Sequence, residues 1–233
     1  MSERHPEADP AATSGGLVSG PDGAEAERTE TEERIFEAAL RVFARKGRDG
    51  ARMQEIADEA AINKAMLHYY FRSKDRLYAQ VFHYVFHRFD RAFFEAVERA
   101  GEDSFAAALE SFVDHYIDFI GHHLDVLKLM VNEFLDGGAV IRHEVTAMIA
   151  TGQAPPQRFA RLIARAVEAG EIAPVDPRHF LVTLVSGCLF PLIAFPMVST
   201  LIPEAVDDYE GFLEARKKNL LDVLRRGIEP RSG

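Results

Sequence analysis

The sequence predicts an all-α fold of about nine or ten helices. From about residue 29 apolar residues recur at helical spacing, as Ile35, Ala39, Val42 and Phe43 do at i, i+4, i+7 and i+8. No stretch alternates apolar and polar residues as a strand would, and no internal repeat is visible. The chain has 233 residues, 47% of them apolar, which is enough for one or two domains with a sizeable core.

Residues 1–27 are predicted to form a disordered tail. They are rich in Pro, Gly, Ala, Ser and Glu, and Leu17 and Val18 are their only large aliphatic side chains. Such a segment buries too little apolar surface to offset the entropy lost when it becomes ordered. It also lacks the basic region and apolar run of a secretory signal.

Two short helices separated by a tight turn follow the first long helix. Gly47 is placed to end the first helix, and a second helix of about two turns ends near Ala60. Asn63 is suited to cap a third helix that runs to about Tyr70, and Ser73 is suited to cap a fourth. This is the helix-turn-helix arrangement, in which the second of the two short helices enters the major groove of DNA.

The stretch from Arg34 to Phe82 resembles the DNA-binding region of the TetR (tetracycline repressor) family. The shared pieces are FARKG, IADEAAINKAML, HYYF and SKDRL, within a stretch of 49 residues. The resemblance implies an N-terminal three-helix DNA-binding domain, 28–73, followed by a helical effector-binding and dimerisation domain, 74–228. Ala61 stands where the family commonly has Gly, so we expect a slightly different turn or a modest strain there.

The same resemblance assigns DNA contacts position by position. The first residues of the third helix reach base edges, with His68 one turn further on and Gln54 on the preceding helix. Tyr69 and Tyr70 match positions that press on the sugar-phosphate backbone, and Lys74 matches a lysine that binds phosphate beside a helix N-terminus. The full expected set is Arg52, Gln54, Lys64, Ala65, Met66, His68, Tyr69, Tyr70 and Lys74.

Some of these assignments leave an alternative open. Arg52 replaces a small hydroxyl residue that bonds to phosphate in the family, and an arginine can bind the same group with a charge-assisted bond. Lys64 is either a DNA contact or a solvated lysine. Met66 and Tyr69 contact DNA or serve only in packing.

The formal charge of −10 is distributed unevenly along the chain. Residues 1–27 carry −5 and residues 81–233 carry −7, whereas residues 28–80 carry +2. The basic residues of that positive segment form two clusters, one within 41–52 and one within 64–76. Since the Debye length is ~8 Å at physiological salt, distant acidic surface is screened and the net charge does not exclude DNA binding.

The region after residue 74 is rich in aromatic residues at helical spacing, a pattern that is more often core than ligand site. The resemblance nevertheless implies a small effector bound between these helices, in a mostly apolar pocket. The expected lining residues are Phe86, Phe89, Phe112, His115, Tyr116, Phe119, Met130, Phe134 and Phe190. No cofactor, metal site or catalytic constellation is expected, so the sequence does not predict an enzyme.

The C-terminal part combines an apolar segment, 177–200, with an amphipathic helix, 206–226. A helix that is apolar on all sides must be buried on both sides. The resemblance implies that these two helices pair with those of a second subunit in a four-helix bundle. The expected interface residues are Leu181, Leu184, Val185, Cys188, Phe212, Leu213, Leu220 and Leu224. Pro191 and Pro196 are expected to kink or end the apolar helix.

These features predict a homodimeric TetR-like transcriptional regulator that binds a palindromic operator in double-stranded DNA. The favoured interpretation is a repressor released by a small apolar or amphipathic effector. An activator or an effector-independent DNA binder stays open, and a helical carrier or enzyme is disfavoured. No window reaches the ~18 apolar residues of a membrane helix, so we expect a cytoplasmic protein associated with the nucleoid and with no membrane partner.

Overall fold

The computed structural model describes the backbone of residues 21–150 and 155–230. Side chains are described in these ranges except at 21–28, 87–93, 103 and 155–156. The described residues form twelve helices and no strand. The helices are α1 (Pro21–Gly50), α2 (Met53–Glu59), α3 (Lys64–Phe71), α4 (Lys74–Asp103), α5 (Phe105–His122), α6 (Leu124–Leu135), α7 (Ala139–Ala150), α8 (Pro155–Glu168), α9 (Pro177–Ile193), α10 (Phe195–Leu201), α11 (Glu204–Asp207) and α12 (Tyr209–Gly227).

The first helix begins earlier than the sequence pattern predicts. Residues 1–20 of the predicted tail lie outside the described residues, but 21–27, which belong to the same predicted tail, are helical. Pro21 occupies the first helical position, which suits proline, and alanine and glutamate alternate from Ala24 to Glu27. The prediction of a disordered tail considered only how little apolar surface these residues could bury. Helix propensity, and acidic residues near a helix N-terminus, also favour a helix over 21–27.

The N-terminal helices α1, α2 and α3 pack around one small core. Ile35, Phe43, Ile56 and Leu67 are fully buried and come from all three helices. Near its end α1 breaks at Gly47, whose φ of 67° and ψ of 175° are not helical. That break returns the chain to α2 and confirms the placement of Gly47.

The long helix α4 joins the N-terminal helices to the rest of the molecule. Its 30 residues span about 45 Å at 1.5 Å per residue. Its N-terminal half packs on α1, where Tyr78 contacts Phe43 and Tyr84 contacts Phe36, and its C-terminal end packs on α5, where Gly101 lies beside Ala108. Any rotation of α4 therefore moves both parts of the molecule.

The C-terminal helices pack around α5, which contacts α4, α8, α9 and α12. The predicted single apolar segment is in fact two helices, α9 and α10, that meet at Ala194 with a bend of 82°. Pro196 stands in the first turn of α10, where proline is tolerated, and Pro191 lies inside α9. This break and the four-residue α11 raise the helix count of the described chain above nine or ten.

Candidate nucleic-acid interface

The helix α3 presents one side to solvent and anchors the other. Asn63 caps it, because its side-chain oxygen accepts a 2.7 Å hydrogen bond from the N–H of Met66. Leu67 and Phe71 are buried beneath it. Of its other side chains, Lys64, Ala65, Met66, His68 and Tyr69 are exposed, and Tyr69 is 81% accessible. An exposed N-terminal half is what reading base edges requires.

The turn between α2 and α3 closes with an alanine in the left-handed region. Ala61 has a φ of 54°, and its N–H donates to the carbonyl of Asp58. The N–H of Ile62 donates to the carbonyl of Ala57, which completes the Schellman pattern of a helix end. The chain thus adopts the conformation that glycine usually provides, and the strain expected at Ala61 is present as a positive φ.

Two predicted DNA-contacting residues, Arg52 and Gln54, stand beside α3, and a third, Tyr70, lies near its C-terminal end. Arg52 precedes α2, is exposed and makes no capping bond. Gln54 is exposed and donates to the carboxylate of Asp58 at 2.8 Å. Tyr70 is half-buried, since its ring stacks on Phe71 with 6.0 Å between centroids. Of these three side chains, Arg52 is the most available to a phosphate.

Lys74 has a structural role that the sequence pattern did not predict. Its Nζ donates to the carbonyl of Asp49 at 3.1 Å and to that of Ala51 at 3.2 Å. These carbonyls belong to the end of α1 and the connection to α2, so the lysine ties the N-terminus of α4 to that connection. An ammonium has three protons, so these two bonds leave one proton for a further acceptor.

The two basic clusters differ in how their charges are used. In the first cluster, carboxylates from α2 and α4 pair with the arginines and the lysine of α1. The pairs are Arg41–Glu59, Arg45–Glu59, Lys46–Glu55 and Arg48–Asp75, at 2.7–3.0 Å. Arg41 first, then Arg45, lowers the pKa of Glu59, so this carboxylate stays ionised.

Several exposed basic residues around α3 form no ion pair with any described residue. They are Arg52, Lys64, Arg72 and Arg76. Arg72 and Arg76 were not among the expected DNA contacts. Their position in the second basic cluster was the sequence signal that could have identified them as DNA contacts. Only the structure shows that they lack carboxylate partners, unlike the basic residues of α1 in the first cluster.

A buried polar pair links α4 to the C-terminal helices. Tyr78, 1% exposed, donates its hydroxyl proton to Oε2 of Glu133 on α6 at 3.1 Å. Oε1 of Glu133, a residue only 2% exposed, accepts from the N–H of Val140 on α7 at 2.7 Å. Burial first, and Glu133 second, raises the pKa of Tyr78 well above its ordinary value. The pair therefore joins three helices through one carboxylate.

The structure separates the residues expected to line one effector pocket. Phe112 is buried and stacks on Tyr116 with 5.4 Å between ring centroids, and burial raises the pKa of Tyr116. The other expected residues divide into half-buried Phe86, Phe119 and Met130, exposed His115, Phe134 and Phe190, and Phe89, whose side chain lies outside the described residues. The three exposed residues fall on outer helix faces. The spacing of apolar residues does not say which side of a helix meets the core, so the sequence could not separate these three from residues that line a pocket.

Most residues expected at a subunit interface are buried within the single chain. Leu184, Cys188, Phe212, Leu213, Leu220 and Leu224 are at most 6% exposed, whereas Leu181 and Val185 are half-buried. Side chains covered by their own chain offer no surface to a partner. The exposed apolar residues of α9 are instead Val182, Phe190 and Ile193, which share one helix face, and α12 exposes Val223.

The histidines of the described residues form no cluster with other His, Cys, Asp or Glu that could hold a metal ion. His83 pairs with Glu144, and His122 pairs with Glu210. Within the same described part, no single helix is long and apolar enough to cross a membrane. The bent pair α9 and α10 passes the same test by length and composition only.

Comparison with known families now places the chain. Residues 35–81 match the model of the bacterial regulatory proteins of the tetR family, and residues 106–224 match the model of the tetracyclin repressor-like C-terminal domain. The chain belongs to the TetR family. It is a TetR-family helix-turn-helix transcriptional regulator, with the all-α architecture that the sequence predicted.

Relatives cover most of this TetR-family chain. The transcriptional regulator RutR of Escherichia coli K12 is 27% identical over 199 residues, which are 84% of this chain and 90% of RutR. The transcriptional repressor SCO4008 of Streptomyces coelicolor is 28% identical, with 84% and 92% covered. The crystal structure of the regulator SCO4942 from Streptomyces coelicolor shares the fold, with a TM-score of 0.61, 23% identity and coverage of 86% of this chain and 99% of that one.

Proposed function

We propose that this regulator represses transcription as a homodimer, with α3 of each subunit in a major groove of a roughly palindromic operator. The observation that carries the proposal is the exposed N-terminal half of α3 surrounded by cations that have no carboxylate partner. Phosphates dominate DNA affinity through counterion release, and base edges determine sequence preference. Relatives named as repressors support repression as the direction of the effect.

We assign two kinds of DNA contact. Lys64, Ala65, Met66 and His68 face the base edges, with Gln54 beside them. Arg52, Tyr69, Tyr70 and Lys74 contact the backbone, and the unpaired Arg72 and Arg76 join that set. In the same proposal, residues 28–73 form the DNA-binding domain and residues 74–228 form the effector-binding and dimerisation domain.

The experiment starts with selection of bound sequences from a random DNA pool, followed by titrations of the selected site at several salt concentrations. Arg72→Ala is expected to weaken binding to all sequences and to lower the salt slope by about one, because one phosphate contact is lost. Lys64→Ala is expected to change the sequence preference. Lys46→Ala is the matched control, since this cation is already paired with Glu55 at 2.7 Å. A selected site without two-fold symmetry would contradict the dimer.

The proposed dimer face is the exposed side of α9 together with Val223 of α12. Val182→Asp places a charge on that apolar face, which should weaken association. Leu135→Asp is the control, because Leu135 is 81% exposed at the end of α6. Sedimentation velocity should show monomers for the first variant and dimers for the second. Equal sedimentation of the two variants would exclude this face.

Release by an effector requires that the effector bind the DNA-free conformation more tightly than the DNA-bound one. The buried Tyr78–Glu133 pair supports such coupling, since it connects α4, which continues from α3, to α6 and α7. An activator would differ from a repressor in its effect on expression from the regulated promoter. A reporter placed downstream of the selected operator decides between the two, because a repressor raises expression when its gene is deleted.

A further inference from the structure

A cleft of about 430 Å³ lies between the N-terminal helices and the turn that joins α5 to α6. Leu40 of α1, Tyr84 of α4 and Val126 of α6 are among its lining residues. Its volume falls within the roughly 300–1,000 Å³ of small-molecule sites. Of the residues expected to line an effector pocket, Phe119 lies here, whereas the buried Phe112 packs on Tyr116 and Phe159.

The aromatic walls of the cleft are held in place by contacts of their own. The ring of Phe119 stacks on that of His123 with 4.5 Å between centroids and 22° between planes. The ring of Tyr84 stacks on that of Phe36 with 5.0 Å and 25°. Two braced flat rings suit a ligand with a flat apolar body, because little side-chain order has to be gained on binding.

Two of the cationic groups at the cleft already have acceptors. Arg41 donates to Glu59 at 2.9 Å. His122 contacts the carbonyl of Asp118 through Nδ1 and the carboxylate of Glu210 through Nε2. An anionic ligand would have to compete with these contacts.

Two acceptors of the α5–α6 turn, Asp125 and His123, have capacity left for a ligand. Asp125 forms no hydrogen bond or ion pair with any described residue. His123 bonds through Nδ1 to the carbonyl of Phe119 at 2.7 Å. A carbonyl only accepts, so Nδ1 carries the proton and Nε2 of the neutral ring is an acceptor. The group that this cleft lacks is a donor.

We propose that the cleft is a binding site for a small organic cation, a flat apolar body that carries an ammonium group. The ammonium donates to the carboxylate of Asp125 and to Nε2 of His123, and the apolar body lies between the rings of Phe119 and Tyr84. Such a ligand contacts α1, which belongs to the DNA-binding helices, and the α5–α6 turn at once. If the ligand fits the DNA-free arrangement of α1 better than the DNA-bound one, its occupation lowers DNA affinity, a consequence that rests on the proposed function.

The test uses three probes with one body and different charge, namely phenylpropylamine, phenylpropanol and phenylpropionate. Their dissociation constants are measured by NMR on the full chain without DNA. The amine is expected to bind about fivefold more tightly than the alcohol, and the carboxylate least well. No binding by the amine, or equal binding by the carboxylate, would overturn the site.

Two variants locate the binding. Asp125→Asn should remove the preference for the amine over the alcohol while the alcohol still binds, and His123→Phe should weaken the amine but keep a ring against Phe119. Glu168→Gln, which removes an exposed carboxylate at the end of α8, is the matched control and should leave the preference unchanged. An unchanged preference in Asp125→Asn would place the cation elsewhere and overturn the assignment.

The consequence for regulation is measured separately. Saturating amine should lower the affinity for the selected operator by about fivefold or more in the natural chain and not in Asp125→Asn. Binding of the amine without a change in DNA affinity would overturn the coupling. If the chain bound no DNA at all, the proposed function would fail, while the probe titrations would still decide the cation site.

Discussion

The buried Tyr78–Glu133 pair allows a quantitative prediction about stability. Tyr78→Phe removes the hydroxyl and leaves the ring, which packs edge-on against Phe43 at 4.9 Å and Phe82 at 5.2 Å. Because the variant keeps the packing of the ring, the interaction that it loses is the hydrogen bond to Glu133. A hydrogen bond to a charged group contributes about 1.5–3 kcal/mol, and an acceptor left unsatisfied in the interior adds to the cost of its removal.

We expect Tyr78→Phe to lower the free energy of unfolding by about 2 kcal/mol. For a chain of this length that corresponds to a fall in Tm of about 4–8 °C. Urea titrations at one fixed protein concentration measure it, because the proposed association would make the stability depend on concentration. Tyr69→Phe is the control, since its ring is 81% exposed.

The pH dependence provides an independent check of the same bond. Burial raises the pKa of Tyr78, so the folded protein retains a proton that the unfolded chain releases near pH ~10. The contribution of the hydroxyl is complete below that pH and is lost as the pH rises toward the raised pKa. The stability difference between the natural chain and Tyr78→Phe should shrink above pH ~10. A difference below about 0.5 kcal/mol at neutral pH would refute the reasoning.

Three further predictions follow from single contacts. Ala61→Gly should raise stability by about 0.5–1 kcal/mol in a urea titration, because the φ of 54° strains alanine and not glycine. Leu184→Ala should cost about 2–5 kcal/mol, since Leu184 is fully buried, whereas Leu135→Ala should stay within about 0.5 kcal/mol. The carbonyl of Asp118 and the carboxylate of Glu210 raise the pKa of His122, so Glu210→Gln should lower that pKa in an NMR titration. The stability from protonated His122 is complete below its ordinary pKa and is lost as the pH rises through the raised pKa, and no change on Glu210→Gln would contradict the pairing.

Local signals in the sequence were sufficient to predict where the helices near the candidate DNA interface begin and end. Asn63 and Ser73 accept the capping bonds from Met66 and Arg76 that their side chains suit. The expectation of strain at Ala61 was local too. Each of these depends on residues three or four positions apart, which is why the sequence reveals them.

The partners of charges and the orientation of faces were not predictable in the same way. Whether a cation is free depends on carboxylates far along the chain, as Arg41 and Glu59 show. The expected interface residue Leu184 and the exposed Val182 lie two positions apart in one apolar helix. Nothing local indicates which of the two meets α12 or α5, because a helix that is apolar on all sides has no preferred inner face.

The amino-acid sequence by itself determined that this chain is helical and that a helix-turn-helix stands near its N-terminus, because periodicity, caps and turn residues act over a few positions. The tertiary structure alone decided which cations keep their charge unpaired around α3 and which faces of α9 and α12 stay exposed. It also decided where a cleft opens between α1 and the α5–α6 turn. These features arise from contacts between residues distant in sequence, and packing and charge pairing are settled only when the helices meet.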